Sequence, residues 1–291
     1  HVLNVYGWHA IELNAVKDAM IEQCYFKNQN AATEMVQLDL MLADTTFPWF
    51  GPYDLTPCEN ITIKDSVFED GVDGIGSHSA STGVRHTNIK IMNCKFLNLS
   101  GKGVKTYNYN YCHVINNHFE NCDYAIENGN YDICYGFLAE NNVIKNMTTR
   151  GIHLKNGSYN SKVSNNYVET CGIHGITADD SYDVVIANKT VKNCGQAGMW
   201  LYGCTNAKVV NNHSTNNDLN ATGIRFDIMI GINFEKAGNQ NLVMGNICGK
   251  MQYGILNNSI ITGNLVTELL NYGTNTNVVA ANNMINLVWT P

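Results

Sequence analysis

One degenerate unit recurs along almost the whole chain and limits what it can fold into. Its clearest copy is Val163-Ser164-Asn165-Asn166-Tyr167-Val168-Glu169-Thr170-Cys171-Gly172-Ile173-His174-Gly175-Ile176, and sibling copies begin at Ile91, Val114 and Val209. In each, an apolar residue is followed three places on by Asn, Cys or Ser, and later by Gly or Ala with Ile, Val or Met behind it. The Asn/Cys/Ser position reads Cys24, Ser66, Cys94, Asn117, Asn142, Asn166, Asn188, Asn212, Asn246, Asn264 and Asn283, at intervals in the low twenties through the middle of the chain. That period, with β-branched residues and Asn-rich turns, specifies a stacked β-solenoid. Leucine-rich repeats need more leucine per unit, and helical repeats need longer periods and strong helix formers. The expected fold is all-β: a single parallel β-helix of about ten coils, with the Asn and Cys positions stacked into an internal ladder.

Each coil of such a stack touches only its neighbours, so residues 1–291 read as one elongated domain rather than two globular ones. Charged residues are only 15% of the chain, the polar surface being carried by Asn, Ser and Thr. A net charge of −7 argues against a nucleic-acid partner, which calls for a basic stripe. Among the cysteines, Cys24 and Cys94 take the ladder position, while Cys122, Cys171 and Cys194 fall just before the next strand. Such repeat-equivalent places predict small buried thiols rather than disulfides. No run of about 18 apolar residues occurs, so no membrane insertion is expected. His1 already lies inside a repeat, and the chain reads as a fragment of a longer one.

Two insertions interrupt the stack. Residues 41–58 hold Pro48, Pro52 and Pro57 with the aromatics Phe47, Trp49, Phe50 and Tyr53. The second, about residues 217–238, contains Gly223-Ile224-Arg225-Phe226-Asp227, echoed by Gly231-Ile232-Asn233-Phe234-Glu235. Long loops on a solenoid commonly gather on one face and carry function.

The strand after each Gly or Ala aligns on an inward aliphatic position: Ile11, Val36, Ile75, Val104, Ile126, Ile152, Ile176, Met199 and Ile224. Alternation sends the residues one and three places on outward. The first outward column is Glu12, Gln37, Gly76, Lys105, Glu127, His153, Thr177, Trp200 and Arg225. The second is Asn14, Asp39, His78, Tyr107, Gly129, Lys155, Asp179, Tyr202 and Asp227. The residue at the bend before the strand is also polar: His9, Glu34, Asp73, Lys102, Tyr124, Arg150 and His174.

A face with this many carboxylates, imidazoles, aromatic rings and cations suits a sugar polymer. Rings stack on pyranose faces, paired polar groups take hydroxyls, and carboxylates perform acid–base work. The acids are densest in the first coils. Glu12 and Asp39, one coil and two positions apart, have a Cα separation on the order of 8 Å, from about 4.8 Å between coils and roughly 6.7 Å along the strand. Carboxylates about 5–9 Å apart are what glycoside hydrolysis requires. Glu12 and Asp39 are therefore the expected catalytic pair, assisted by Asp73 and His78. The expected substrate-binding residues are His9, Glu34, Gln37, Lys105, Tyr107, Glu127, His153, Lys155, Asp179, Trp200 and Tyr202, with Trp49 and Tyr53 walling the site from the insertion. No cofactor and no metal are expected. Glu34, Asp39 and Asp73 could hold a hard cation such as calcium, but nothing resembles a calcium loop.

With coils and outward face in place, the chain resembles the pectate-lyase-like, right-handed parallel β-helix superfamily, which includes pectate lyases, polygalacturonases, uronan epimerases and bacteriophage tailspikes. Residues 60–79, from Asn60-Ile61-Thr62 through Asp73-Gly74-Ile75-Gly76-Ser77-His78-Ser79, are similar to a segment of phage tail-appendage β-helices that bind or cut envelope glycans. Asp73, Gly74, Ile75, His78 and Ser79 match it. Val72 replaces the first Asp of its Asp-Asp pair, leaving Asp70 or Asp39 as the second carboxylate. His9-Ala10-Ile11-Glu12-Leu13-Asn14 and Glu34-Met35-Val36-Gln37-Leu38-Asp39 also resemble a pattern in β-helix proteins of Gram-positive bacteria and their phages.

The resemblance implies a right-handed coil and a tailspike-type depolymerase that hydrolyses a host cell-surface polysaccharide. It also implies side-by-side homotrimers in a virion tail, assembled in the host cytoplasm and acting outside it; a secreted bacterial protein is the alternative. Two rival functions use the same face. One is a glycan receptor that does not cut. The other is a lyase or C5-epimerase of a uronate polymer, with Lys105, Lys155 and Arg150 available to neutralise the uronate.

Overall fold

The computed structural model describes residues 1–29, 33–41, 54–77, 81–129, 133–155, 157–221, 226–231, 238–271 and 275–285. The chain winds through three short strands per coil, and the strands of successive coils pair in parallel to build three long sheets. The first sheet runs through Ile11–Asn14, Glu34–Asp39, Asp73–Gly76, Lys102–Thr106, Tyr124–Asn128, Arg150–Leu154, His174–Asp179, Met199–Tyr202 and Ile228–Ile230. The second sheet has eleven strands, from Lys17–Glu22 to Val279–Ala281. The third starts at Val2–Leu3 and Tyr25–Lys27 and ends at Met284–Ile285. The fold is the expected solenoid.

Inward residues of the three sheets stack into columns. In the third, Phe26, Phe68, Phe96 and Phe119 lie ring on ring, with centroids 4.9, 4.9 and 4.7 Å apart and planes within 13° of parallel. Glycine at the adjacent bend makes room for them: a Cβ on Gly103 would stand 2.5 Å from the Phe119 ring. In the first sheet the inward register is Val36, Ile75, Val104, Ile126, Ile152, Ile176 and Met199, as expected. The next rung differs. Met199 pairs with Ile228, not Ile224, so Met229 rather than Arg225 follows Trp200. Asp227 is pulled out of the outward column: its carboxylate accepts from the side-chain amide of Asn217 at 2.7 Å and from the backbone N–H of Lys250 at 2.9 Å. The echo within the second insertion disguised this shift.

The ladder is built from amides. The Asn142 Oδ1 accepts both the backbone N–H and the Nδ2 of Asn117, and the same geometry repeats at Asn166, Asn246, Asn264 and Asn283. Just before the ladder residue the chain turns through the left-handed region, with φ of 54–57° at Asn93, Asn116, Asn141 and Asn165, a conformation Asn tolerates better than most residues. Asn188 belongs to that turn series, with φ of 56°. The ladder position in its coil is Lys189, whose backbone N–H donates to Asn212 Oδ1 at 3.1 Å. Its ammonium end takes over the amide's task, donating to the carbonyls of Val163 and Ala187.

All ten cysteines are free, and all except Cys24 are buried. The first insertion is pinched at its base, where Met41 exchanges backbone hydrogen bonds with Leu55 and Thr56, each 3.0 Å. Trp49, Tyr53 and His78 lie outside the described residues.

Candidate functional site

The outward face of the first sheet is far less solvated than alternation alone suggests. Glu34 and Gln37 are 1% exposed, Glu127 2% and His153 3%. Neighbouring coils are close enough that long polar side chains cover one another, and they do so as paired groups. Two networks result.

The first occupies the early coils. His9 Nδ1 lies 2.8 Å from the Glu34 carbonyl. The Glu34 carboxylate is met by the ammonium of Lys105, which also pairs with Asp73 at 3.1 Å. Asp73 further accepts the backbone N–H of Lys102 at 2.6 Å. Gln37 donates to Asp39. Burial alone would lower the Lys105 ammonium; the Asp73 and Glu34 carboxylates outweigh it and hold it above its ordinary value. Glu12, exposed on the first full coil, accepts from Asn14 at 3.0 Å. Of the acids expected to do chemistry here, Asp73 is paired with Lys105, while Glu12 and Asp39 are held by the amides of Asn14 and Gln37.

The second network lies further along the same sheet and joins residues expected only to bind substrate. Glu127, His153 and Thr177 are paired strand to strand, with Lys155 and Asp179 one column over. His153 Nε2 lies 2.8 Å from Asp179 Oδ2, and its Nδ1 faces Glu127 Oε2 at 3.9 Å. One imidazole therefore stands between two carboxylates. Tyr107 donates its hydroxyl to Glu127, and Lys155 donates to the same oxygen at 3.1 Å. Burial alone would raise the Glu127 carboxyl, but the Tyr107 hydroxyl and the Lys102 and Lys155 ammonium groups hold it below the usual carboxylate range. Glu127 is thus ionised at neutral pH. The Tyr202 hydroxyl is pushed up by burial and by its hydrogen bond to Asp179, so it stays protonated and can donate.

Aromatic rings line this network. Trp200 packs edge-on against His174 at 4.8 Å and is tilted against Tyr202 at 5.0 Å. Tyr124 lies parallel to His153 at 6.2 Å. Tyr124 and Lys102 stand in the sequence only as members of the polar bend column, from which His9, Glu34 and Asp73 are expected in the site. In the structure Tyr124 borders Glu127 and His153 directly. The geometry offers an ionised carboxylate, an imidazole fixed by a second carboxylate, and tyrosyl donors: the parts of an acid–base site on an aromatic face.

The protein is a parallel β-helix with a polar, ring-lined face on one sheet. Residues 54–177 match the family described as right handed beta helix region, and residues 127–248 match the periplasmic copper-binding protein (NosD) family. The first match and the pairing of the sheets agree on a right-handed parallel β-helix fold. Among the described residues no three His, Cys, Asp or Glu side chains converge to hold a metal ion, and the cysteines of the second match are buried in the core. They do not fit a copper centre.

Among solved structures, the chain is similar to the catalytic unit of a GH87 alpha-1,3-glucanase from Streptomyces thermodiastaticus, at 14% identity and TM-score 0.58, covering 84% of this chain and 50% of that one. It is similar to a DFA-IIIase variant from Arthrobacter chlorophenolicus at 13% identity and TM-score 0.56, covering 96% and 76%. It is also similar to the A-module of a mannuronan C-5 epimerase from Azotobacter vinelandii at 16% identity and TM-score 0.53, covering 91% and 80%. At these identities the likeness is one of fold.

Proposed function

We propose that this chain acts on a polysaccharide, cleaving it by hydrolysis on the first sheet. The observation that carries this reading is the His153 imidazole held between Glu127 and Asp179 on a face lined by Tyr107, Tyr124, Trp200 and Tyr202. Carboxylates flanking one ring are separated on the order of the 5–9 Å that glycoside hydrolysis uses. In the proposed step Glu127, ionised, takes a proton from water as its oxygen attacks the anomeric carbon. The His153–Asp179 pair gives a proton to the departing glycosidic oxygen. The names of the similar structures, a glucanase and an epimerase acting on sugar polymers, lend support.

The Glu12 and Asp39 pair, which the sequence has Asp73 and His78 assist, remains a second candidate centre. The imidazole held between two carboxylates favours the later coils. The likeness of residues 60–79 to phage tail appendages supports a tailspike-type depolymerase acting on a host surface glycan, as a homotrimer in a virion tail. The periplasmic description of the second family match also supports action outside the cytoplasm.

Incubating the protein with purified envelope and plant polysaccharides, and assaying reducing ends and ultraviolet-absorbing unsaturated products, tests the reading. New reducing ends without unsaturation are expected. Unsaturated products would replace hydrolysis by elimination. Tight binding without any product would make the face a receptor.

A further inference from the structure

At the corner where the chain enters the second sheet, coil after coil turns through the left-handed region. The residues in register there are Asn88, Tyr111, Gly136, Asn160, Asp183 and Asn206. Asparagine and aspartate tolerate that conformation, and their side chains bond from coil to coil, as Asn88 does to Asn60 at 2.8 Å. Tyr111 takes the same backbone, with φ of 52°, where a bulky residue is disfavoured. Its ring covers the bare backbone of Gly136 one coil on: a Cβ there would stand 2.6 Å from the Tyr111 Cδ1. Tyr111 is nevertheless 55% exposed. A costly backbone and an emptied neighbouring position together hold one aromatic ring at the surface.

One position earlier at the same corner, Tyr135, Tyr159 and Tyr182 pair coil to coil. Their ring centres are 5.5 and 4.6 Å apart, and the two end residues are exposed. With Tyr111 they make a strip of tyrosines four coils long. Asn110 precedes it, its Oδ1 accepting the Tyr135 backbone N–H at 3.0 Å, and Thr205 and Asn239 continue the row beyond it. Uncharged polar groups thus border the rings at both ends. A strip this narrow is less than a stable contact between proteins needs. It suits a chain of sugars: rings take the C–H surface of pyranoses, while tyrosyl hydroxyls and amides take their hydroxyls. The rise of about 4.8 Å per coil is close to the length of one pyranose unit, so a sugar chain along the solenoid axis meets successive coils alike. The strip also adjoins the reacting face. Tyr182 follows Asp179 by three residues and Tyr159 follows Lys155 by four, at most about 14 Å of chain.

We propose that the tyrosine strip is a second polysaccharide-binding site, which holds a sugar chain along the solenoid axis beside the first-sheet face. This rests on the reading of that face as one that acts on a polysaccharide, and adds residues outside it.

Electrophoresis of the native protein through gels containing laminarin, xylan, polymannuronate or polygalacturonate tests the proposal. At least one polymer retards the wild-type protein. Tyr182→Ala weakens that binding about three- to tenfold, the worth of one ring contact, and Tyr182→Phe keeps most of it. Tyr111→Asn installs the residue type of its neighbours in the turn, so it melts at or above the wild-type temperature while binding falls about threefold or more. A ring with only a structural role would lower the melting temperature and leave retardation alone. Unchanged retardation of both Tyr182→Ala and Tyr111→Asn overturns the strip and leaves the first-sheet face standing; if the same variants dissociate an oligomer in sedimentation, the strip is a contact between copies instead. Absence of retardation of the natively melting wild-type protein by all four polymers overturns both this inference and the reading beneath it.

Discussion

Lys105 crosses the coil that carries Gly76 and sets its ammonium against the Glu34 carboxylate two coils back. The missing side chain at Gly76 is what lets it pass: a Cβ there would stand 3.0 Å from the Lys105 Cβ and 3.2 Å from the Glu34 Cγ. Replacing the lysine strands two carboxylates, one of them fully enclosed. Lys105→Met is expected to cost about 3–5 kcal/mol in urea unfolding, the usual result of removing one partner of a buried pair. The folded ammonium is held above its ordinary value of 10.5. Its contribution is therefore complete below pH 10.5 and disappears as pH rises through the folded value.

Lys189 makes the opposite pH prediction. Burial pulls its amine well below the ordinary 10.5, so between the folded value and pH 10.5 the unfolded chain binds the extra proton. Stability should rise with pH across that window by about 1.4 kcal/mol per unit. Lys189→Asn rebuilds the amide ladder and should both remove the slope and stabilise the protein by about 1–3 kcal/mol at neutral pH. An unchanged melting profile would contradict the assigned ladder register.

His86 is buried between coils, its Nδ1 accepting the Cys58 backbone N–H at 3.0 Å and its ring edge-on to Tyr109. Burial lowers it from 6.5 to about 4. The unfolded chain takes up a proton below pH 6.5 that the folded chain refuses until about pH 4. Stability should therefore fall by roughly 3 kcal/mol over that interval, and His86→Gln should flatten the fall. Urea midpoints at several pH values read it directly.

The phenylalanine column gives a packing test. Phe96 has a stacked ring on either side, whereas Phe26 has one in the column. Phe96→Ala should cost about 3–5 kcal/mol, and more than Phe26→Ala. Equal losses would mean the column does not act as a continuous stack.

Much of this architecture is legible in the sequence, because a solenoid writes its register as repetition. The inward column from Ile75 to Met199 follows from Gly or Ala before an aliphatic residue. Repetition misleads in two places. At Asn188-Lys189, asparagine fits both the turn and the ladder, and a lysine inside a ladder has no precedent in the neighbouring copies. At residues 224–228 an internal echo offers a false strand start. The crowding of the outward face is not legible for a different reason. Alternation gives a side chain's direction but not its crowding, so it does not tell that Lys105 pairs with Glu34 and Asp73 while Glu127 and Asp179 flank the His153 ring.

That gathering is the central claim, and activity of Glu127→Gln and Asp179→Asn, set against their melting curves, tests it most directly. On the polysaccharide that the wild-type protein cuts, each variant should lose about 10²–10⁴-fold in rate while melting within a few degrees of wild type, and Glu12→Gln should cut normally. Full activity in both variants, or loss confined to Glu12→Gln and Asp39→Asn, would contradict it.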